Sequence, residues 1–243
     1  MIRGLLFDLN GTVIDIRTDE EDFQVYRVTA NFLDYHGVRI SPEELKEQFF
    51  TLNRQQRKNS PEKFPEFDAV RIFREIILSA RTSPGQLPPS LAAETALVFR
   101  AASRRRLEPY PDVPEVLNEL SRNYALAAVS DGQLLWALPE LRSAGLEQFF
   151  SFSLISGDLG FRKPDPRMFE IALDQMNLSA AEAVFVGNDM FRDIYGAHQA
   201  GMKTVFFKSN QGDQNHHGAD PDYVIRAFRE LPQAVSFLNA QPE

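Results

Sequence analysis

A carboxylate and an amide two residues apart end the first apolar run of the chain. Asp8 follows Leu5-Leu6-Phe7, and Asn10 precedes Gly11-Thr12. Side chains two residues apart in an extended chain point to the same side, so the two groups should face one ligand. A carboxylate there can attack a substrate and carry it covalently, as in an aspartyl-phosphate. A lone aspartate at a strand end is also a common cap, so its chemistry depends on the other strand ends.

Two further groups that suit a phosphate follow later apolar runs. Ser130 and Asp131-Gly132 end the run over 124–129, where a hydroxyl and nearby N–H groups could hold phosphate oxygens or cap the next helix. Lys163 lies in a loop bounded by aromatic and proline residues. An ammonium fixed in such a loop can neutralise a transferring phosphoryl group and a charged nucleophile.

Oxygen donors for a metal ion follow a further run over 183–187. Asn188 and Asp189 stand at its end, and Asp193 lies one helical turn further on. Mg²⁺ usually takes one or two carboxylates together with waters and substrate phosphate. Asp193 could instead cap a helix or pair with Lys163, and such an ion pair is compatible with a site.

Short apolar runs alternate with amphipathic helical patterns along most of the chain. The predicted buried strands cover about 2–8, 124–130, 152–155, 183–187 and 203–207. The predicted helices between the later strands cover 134–144, 166–176 and 193–200. A polar loop over 209–218 precedes a last short strand at 223–225. This alternation predicts an α/β fold with a Rossmann-like parallel sheet, which brings the carboxyl ends of its strands to one edge.

Residues 16–105 have a different character, because helical patterns follow one another there with no convincing strand between them. The predicted helices lie near 20–36, 42–56, 66–80 and 89–105, with Ser83-Pro84-Gly85 marking a connection. We therefore predict an inserted all-helical cap domain over 16–105 and an α/β core made of 1–15 and 106–243. Pro109, Pro111 and Pro114 predict an extended return linker.

Four groups of residues, taken in order, resemble the motifs of the haloacid dehalogenase (HAD) superfamily. They are Asp8-Leu9-Asn10-Gly11-Thr12, Ser130-Asp131-Gly132, Lys163-Pro164-Asp165-Pro166 and Gly187-Asn188-Asp189 with Asp193. The resemblance covers nearly the whole chain, and the insert is similar to the helical cap of the phosphoglycolate phosphatase, β-phosphoglucomutase and haloacid dehalogenase branch.

The resemblance implies a role for each matching residue. Asp8 would be the nucleophile, with Asn10, Ser130 and Lys163 completing the catalytic set. The implied phosphate-site residues are Gly11, Thr12, Ser130, Asp131 and Lys163. The implied cofactor is Mg²⁺, held by Asp8, by the backbone carbonyl of Asn10 and by a ligand from the pair Asn188 and Asp189, with support from Asp193.

Two positions depart from the family pattern. Asn10 stands where the family has its acid and base, and Asn188 stands where it has the first carboxylate of the fourth motif. An amide oxygen can still bind a hard cation, so we expect a weaker Mg²⁺ site. An amide cannot transfer protons, and general acid–base help is typically about 10² to 10⁴ in rate. Turnover of alkyl phosphates should therefore be slow. The first step with acyl phosphates and para-nitrophenyl phosphate should be slowed less, because their leaving groups depart without a proton. Phosphoenzyme could accumulate.

The function predicted from these residues is Mg²⁺-dependent hydrolysis of a small phosphate ester or anhydride through an aspartyl-phosphate on Asp8. Three alternatives stay open: a binding protein on a phosphatase scaffold, an Asn10 engineered to trap an intermediate, and a metal-free 2-haloacid dehalogenase that forms an ester on Asp8. Against the dehalogenase, that subfamily usually has an aromatic residue at the position of Asn10.

Composition limits the classes of partner. The chain has 243 residues, 26 basic and 34 acidic, for a net charge of −8, so it offers no overall attraction for nucleic acid or anionic membrane. Its densest basic cluster, Arg104-Arg105-Arg106, would point three ways on a helix. There is no cysteine and no run long enough to span a membrane. We expect a cytoplasmic monomer or homodimer that acts on a small phosphorylated metabolite.

Overall fold

The secondary structure alternates between strands and helices on both sides of a purely helical stretch. The computed structural model describes residues 1–81 and 87–240. Its strands are β1 (Gly4–Phe7), β2 (Ile14–Thr18), β3 (Arg104–Pro109), β4 (Ala125–Ser130), β5 (Ser153–Ile155), β6 (Ala183–Gly187), β7 (Lys203–Phe207) and β8 (Tyr223–Ile225). Its α-helices are α1 (Phe23–Tyr35), α2 (Pro42–Asn59), α3 (Ala69–Ala80), α4 (Leu91–Ser103), α5 (Val113–Leu120), α6 (Leu134–Ser143), α7 (Pro166–Met176), α8 (Gly196–Gln199) and α9 (Leu231–Ala240).

A parallel sheet of six strands in the order β5-β4-β1-β6-β7-β8 forms the centre of the described chain. β1 lies in its middle, paired with β4 on one side and β6 on the other. The chain fills one half of the sheet before it crosses to the other, so the strand order reverses beside β1. Ligands of open α/β sheets bind at such a reversal, outside the carboxyl ends of the strands. The predicted Rossmann-like α/β fold is confirmed.

Both faces of the sheet are covered, which explains why its strands are apolar without interruption. Leu5 and Phe7 of β1 pack with residues of α5 and α9, whereas Leu6 packs on the opposite face with residues of α7. Successive side chains of a strand point to opposite faces, so a strand covered on both sides needs apolar residues at every position. This double covering holds the end of β1, and with it Asp8, in a rigid position.

Helices α1 to α4 have a hydrophobic core of their own, rich in aromatic rings. The ring of Phe99 lies 4.4 Å from that of Phe49 and 5.4 Å from that of Phe73, measured between centroids. Trp136 of α6 joins this core and donates a hydrogen bond from Nε1 to the carbonyl oxygen of Ala96 at 3.0 Å. The helical layer is thus packed internally and also rests on α6.

The two ends of this insert form an antiparallel ribbon of β2 and β3, which was not predicted. The expected boundaries at 16 and 105 fall inside these strands. The prediction that Arg104-Arg105-Arg106 lie on a helix is wrong, because they form the start of β3. Arg106 contacts Asp15 of the partner strand at 2.9 Å, so pairing with a distant segment decides the local conformation over the helical propensity of arginine.

Two further local predictions need correction. Pro114 lies in the first turn of α5 rather than in an extended linker, at a position where the N–H that proline lacks has no partner inside the helix. The helix predicted over 193–200 begins earlier, as a π-helical segment over Met190–Tyr195 that continues into α8. The predicted connection at Ser83-Pro84-Gly85 lies outside the described residues. No helix in the described ranges is both long and apolar enough to cross a membrane.

Candidate active site

The carboxylate of Asp8, directly after β1, is the point on which the polar strand ends converge. The residue is 6% exposed. Its Oδ1 accepts hydrogen bonds from Nζ of Lys163 at 2.7 Å and from Oγ of Ser130 at 3.1 Å. Its Oδ2 accepts only a long bond, from Oγ1 of Thr12 at 3.3 Å, among the residues the structure describes. Oδ1 is therefore well held, and Oδ2 has room for a further partner.

Lys163 is the buried cation of the site, with 2% of its surface exposed. Its Nζ donates to Asp8 at 2.7 Å, to Oδ1 of Asp193 at 2.7 Å and to the carbonyl oxygen of Val129 at 3.1 Å. These three acceptors match the three donors of an ammonium group. Burial lowers the pKa of Lys163, but the charges of Asp193, Asp8 and Asp131 outweigh that effect and the net pKa is raised. Lys163 accordingly stays protonated.

Asp193 holds Lys163 and also the backbone that follows β6. While its Oδ1 accepts from Lys163, its Oδ2 accepts from the backbone N–H groups of Asn188 and Asp189, each at 3.0 Å. A Cβ at Gly187 would lie 2.4 Å from the Cβ of Asp193, which explains why glycine ends β6. Asp193 thus forms the ion pair considered above and positions the loop after β6.

Ser130 and Asp131, at the end of β4, lie beside Asp8 and Lys163. The residue at the N-cap of α6 is Gln133, so the alternative that Ser130 caps that helix is excluded. Asp131 accepts a hydrogen bond at Oδ1 from the backbone N–H of Lys163 at 3.0 Å, while its buried Oδ2 lacks a hydrogen-bond partner within 1–81 and 87–240. Burial raises the pKa of Asp131 to about 6, against the opposing charges of Lys163 and Arg192. The side chain of Asp131 therefore fixes the Lys163 loop.

The turn after Asp8 brings Gly11 against the loop after β6. Gly11 has φ +89°, and a Cβ there would lie 2.3 Å from Nδ2 of Asn188. Asn10 forms an isolated bridge with Ile14, and its side chain makes no hydrogen bond to the described part of the chain. The conformation of this turn requires glycine at 11, and the proton-transfer role considered for position 10 stays a prediction.

Asn188 and Asp189 are the predicted metal ligands after β6. They differ in how far hydrogen bonds occupy their side-chain oxygens. Asn188 accepts from Oγ1 of Thr12 at 3.1 Å and donates from Nδ2 to Ser209 at 3.3 Å. Asp189 caps the π-helical segment: its Oδ1 accepts two backbone N–H bonds, and its Oδ2 accepts from Arg192 at 2.8 Å and 2.9 Å. Burial raises the pKa of Asp189, but Arg192 and the backbone donors bring it below its usual value.

The oxygens of Asp8 and Asn188 fit a hard cation better than those of Asp189 and Asp193. The hydroxyl of Thr12 lies 3.3 Å from Oδ2 of Asp8 and 3.1 Å from Oδ1 of Asn188, yet it has a single proton to donate. At least one of these two acceptors keeps an unused lone pair. No group of three or more His, Cys, Asp or Glu in the described ranges could hold a metal ion. One carboxylate with amide and carbonyl oxygens is nevertheless a donor set that suits Mg²⁺.

Arg192 is a site residue that the sequence reasoning missed. It pairs with Asp189 at 2.8 Å and lies 3.7 Å from Oδ2 of Asp131, so it joins the ends of β4 and β6. The available signal was its spacing of three residues from Asp189, which puts both on one side of a helical turn.

Comparisons with known proteins point to one group of enzymes. A family model described as "Hydrolase: haloacid dehalogenase-like hydrolase" matches residues 2–201. The chain is 28% identical over 242 residues to a glyceraldehyde 3-phosphate phosphatase of Methanopyrus kandleri, covering 98% of this chain and 99% of that one. It is 35% identical over 162 residues to a phosphoserine phosphatase of Thermus thermophilus, covering 66% and 62%. A crystal structure of a 2-haloacid dehalogenase from Pseudomonas syringae pv. Tomato DC3000 matches with a TM-score of 0.71 and 25% identity, covering 98% and 99%.

Proposed function

The chain belongs to the haloacid dehalogenase-like hydrolases, and on that premise we propose that it hydrolyses a small phosphate ester or anhydride through a phosphoryl group carried by Asp8. The observation that carries this proposal is the environment of Asp8: a buried carboxylate beside a buried, protonated Lys163, with one oxygen open to a further partner. A nucleophilic carboxylate needs to be ionised, and an adjacent cation favours that form.

In the first step an oxygen of Asp8 attacks phosphorus, so that a new P–O bond forms and the bond to the leaving group breaks. Lys163 and Ser130, which hold Oδ1 of Asp8, are placed to neutralise the charge of the transferring group. When bound by Asp8, Asn188 and the backbone carbonyl of Asn10, Mg²⁺ would add a further positive charge at the phosphoryl oxygens.

In the second step water attacks phosphorus, which releases inorganic phosphate and restores the Asp8 carboxylate. The amide of Asn10 supplies no proton to a leaving alkoxide and takes none from this water. Leaving groups that depart without a proton, such as carboxylates and nitrophenolate, should therefore be preferred. Dephosphorylation becomes the slow step for these substrates.

Substrate entry requires the site to open. Asp8 and Lys163 are buried, and the paired strands β2 and β3 join the helical insert to the rest of the chain. We assign α1 to α4 as a cap that swings about this ribbon, admits substrate and excludes water when closed.

Phosphate release with and without Mg²⁺ tests the proposal. Suitable substrates are glyceraldehyde 3-phosphate and phosphoserine, which the names of the relatives suggest, together with acetyl phosphate and para-nitrophenyl phosphate. We expect turnover of the last two by the native chain, loss in Asp8→Asn and a gain in Asn10→Asp. No release by the native chain, and no gain in Asn10→Asp, would favour a phosphate-binding protein instead.

The match to a 2-haloacid dehalogenase over 98% of this chain supports a second candidate. In that reaction an oxygen of Asp8 would attack the carbon that carries the halogen, halide would leave, and water would hydrolyse the resulting ester. Chloride release from 2-chloropropionate in the presence of a chelator, with no phosphate release from the panel, would favour this candidate.

A further inference from the structure

Residues 209–213 form the β7 loop, which lies directly on the residues that follow β6. A Cβ at Gly212, whose φ is +82°, would lie 2.3 Å from the carbonyl oxygen of Asn188 and 2.7 Å from its Nδ2. The backbone N–H of Asp213 donates to Oδ2 of Asp189 at 3.1 Å. The β7 loop therefore packs against both predicted metal ligands after β6, and at Gly212 only glycine allows so close an approach.

The side-chain amide of Asn188 lies between two hydroxyl groups. Its Oδ1 accepts from Oγ1 of Thr12, and its Nδ2 donates to Oγ of Ser209 at 3.3 Å. Because a hydroxyl can both donate and accept, these two groups alone would also permit the reversed amide, with Nδ2 on the side of Asp8. The Ser209 hydroxyl, however, donates its single proton to the carbonyl oxygen of Gln211 at 3.4 Å and accepts from the N–H of Gln211 at 3.3 Å. The β7 loop thus favours the amide with its oxygen towards Asp8.

The side chain of Gln211 fastens the β7 loop to the ribbon of β2 and β3. Its Nε2 donates to Oδ1 of Asp15 at 2.9 Å and to the hydroxyl of Tyr110 at 3.2 Å. Asp15 is buried, and its Oδ2 pairs with Nε of Arg106 at 2.9 Å. A hydrogen bond to a carboxylate is stronger than one between neutral groups, and the ion pair holds this carboxylate in place. Gln211 therefore anchors the loop to a fixed partner on a distant segment of the chain.

We propose that Gln211 is a positioning residue for the Mg²⁺ site: by anchoring the β7 loop, it keeps Oδ1 of Asn188 turned towards Asp8. This inference rests on the proposed function for the place of the cation and adds the residue that prepares the site before the cation binds. Both oxygens of a carboxylate can bind a cation, whereas an amide offers a single oxygen and must be held in one orientation. The amide at position 188 thus gives the loop its role.

Titration calorimetry of the full chain with Mg²⁺ alone tests this role without substrate. Gln211→Ala should weaken Mg²⁺ binding about 10-fold or more, as loss of a group that orients a metal ligand typically does. Gln214→Ala is the matched control, because Gln214 follows the loop closely and donates to the carbonyl oxygen of Ser209 but makes no hydrogen bond to the ribbon among the described residues. Its Mg²⁺ affinity should equal that of the native chain.

Gln211→Glu separates the positioning role from a simple effect of charge. It brings a second carboxylate against Asp15, so repulsion should displace the loop and weaken Mg²⁺ binding, whereas an added negative charge by itself would tighten it. Adding Asp15→Asn to Gln211→Glu exchanges the amide and the carboxylate at this contact and keeps the total charge beside Arg106. The double variant should recover most of the native affinity.

Four results would overturn the proposal: native affinity in Gln211→Ala, an equal loss in Gln214→Ala, tighter binding in Gln211→Glu, or no binding of Mg²⁺ by the native chain. Phosphate release is measured separately. A chain that shows the expected order of Mg²⁺ affinities but hydrolyses no phosphate compound would contradict the proposed function and leave the role of Gln211 standing.

Discussion

Nζ of Lys163 lies 2.7 Å from Oδ1 of Asp8, across a sequence separation of 155 residues. The same atom lies 2.7 Å from Oδ1 of Asp193, so a single buried cation joins the end of β1 to the π-helical segment that follows β6. Because a buried charge is costly unless it is paired, the three residues depend on one another for stability. Lys163 thus stabilises the fold and is also placed to act on a phosphoryl group.

Replacing Lys163 by methionine should destabilise the protein by about 3–5 kcal/mol, because it leaves two buried carboxylates without their cation. Urea unfolding measures this change. Lys203→Met is the matched control, since Lys203 donates to the carbonyl oxygen of Leu238 but pairs with no carboxylate in the described ranges. Equal effects of the two substitutions would contradict the structural role of the Lys163 ion pair.

Gly11→Ala should disturb the site more than an ordinary glycine substitution. The new Cβ would meet Asn188 at 2.3 Å, whereas the same change at Gly37, with φ +78°, meets nothing within 4 Å. We expect Gly37→Ala to cost about 1 kcal/mol from backbone strain and Gly11→Ala at least 1 kcal/mol more. Unfolding free energies check this difference. Similar values for both variants would show that the Asn188 side chain moves away from the new Cβ at little cost.

Asp131→Asn should change the pH dependence of stability. The pKa of Asp131 is raised to about 6, so the native state favours its protonated form, and its contribution to stability falls as the pH rises from about 4 to 6. Asparagine does not ionise, so Asp131→Asn does not lose stability in this way as the pH rises. The variant should therefore gain stability relative to the native chain by up to about 3 kcal/mol over that interval and remain level above it. Urea unfolding of both chains at several pH values measures this gain. A difference in unfolding free energy between the two chains that does not change with pH would refute the raised pKa of Asp131.

Much of the fold could be predicted because its central strands are buried on both faces. Runs such as Leu5-Leu6-Phe7 have no polar position, and polar residues follow where the strands end. Parallel strands end at one edge, so the approach of Lys163 to Asp8 followed from topology. The ribbon of β2 and β3 could not be predicted, because Arg104-Arg105-Arg106 become a strand only through pairing with a distant segment.

The bonding of individual side chains within the site was harder to foresee. Asp189 and Asn188 both carry an oxygen that suits a cation, and their sequence context does not distinguish them. In the structure, Arg192 and three backbone N–H groups occupy the oxygens of Asp189, while Asn188 shares the hydroxyl of Thr12 with Asp8. Such detail depends on the π-helical geometry of Met190–Tyr195, for which the sequence pattern gives no signal.

Asn10→Asp should accelerate turnover, because it introduces the proton-transferring group that the native chain lacks. We expect a gain of about 10² to 10⁴ in kcat for alkyl phosphates such as glyceraldehyde 3-phosphate. The first chemical step with acetyl phosphate should gain much less, since its leaving group needs no proton. Steady-state and single-turnover rates on both substrates check this. An equal gain on both in the first step would exclude proton transfer as the cause.

The most direct test of the aspartyl-phosphate mechanism is to look for the phosphoryl group on Asp8. The native chain is mixed with acetyl phosphate and Mg²⁺, quenched in acid and analysed by intact and peptide mass spectrometry. We expect one phosphoryl group to accumulate on Asp8 in the native chain, to be far less populated in Asn10→Asp and to be absent in Asp8→Asn. Phosphate release that persists in Asp8→Asn, or a phosphoryl group found on another residue, would contradict it.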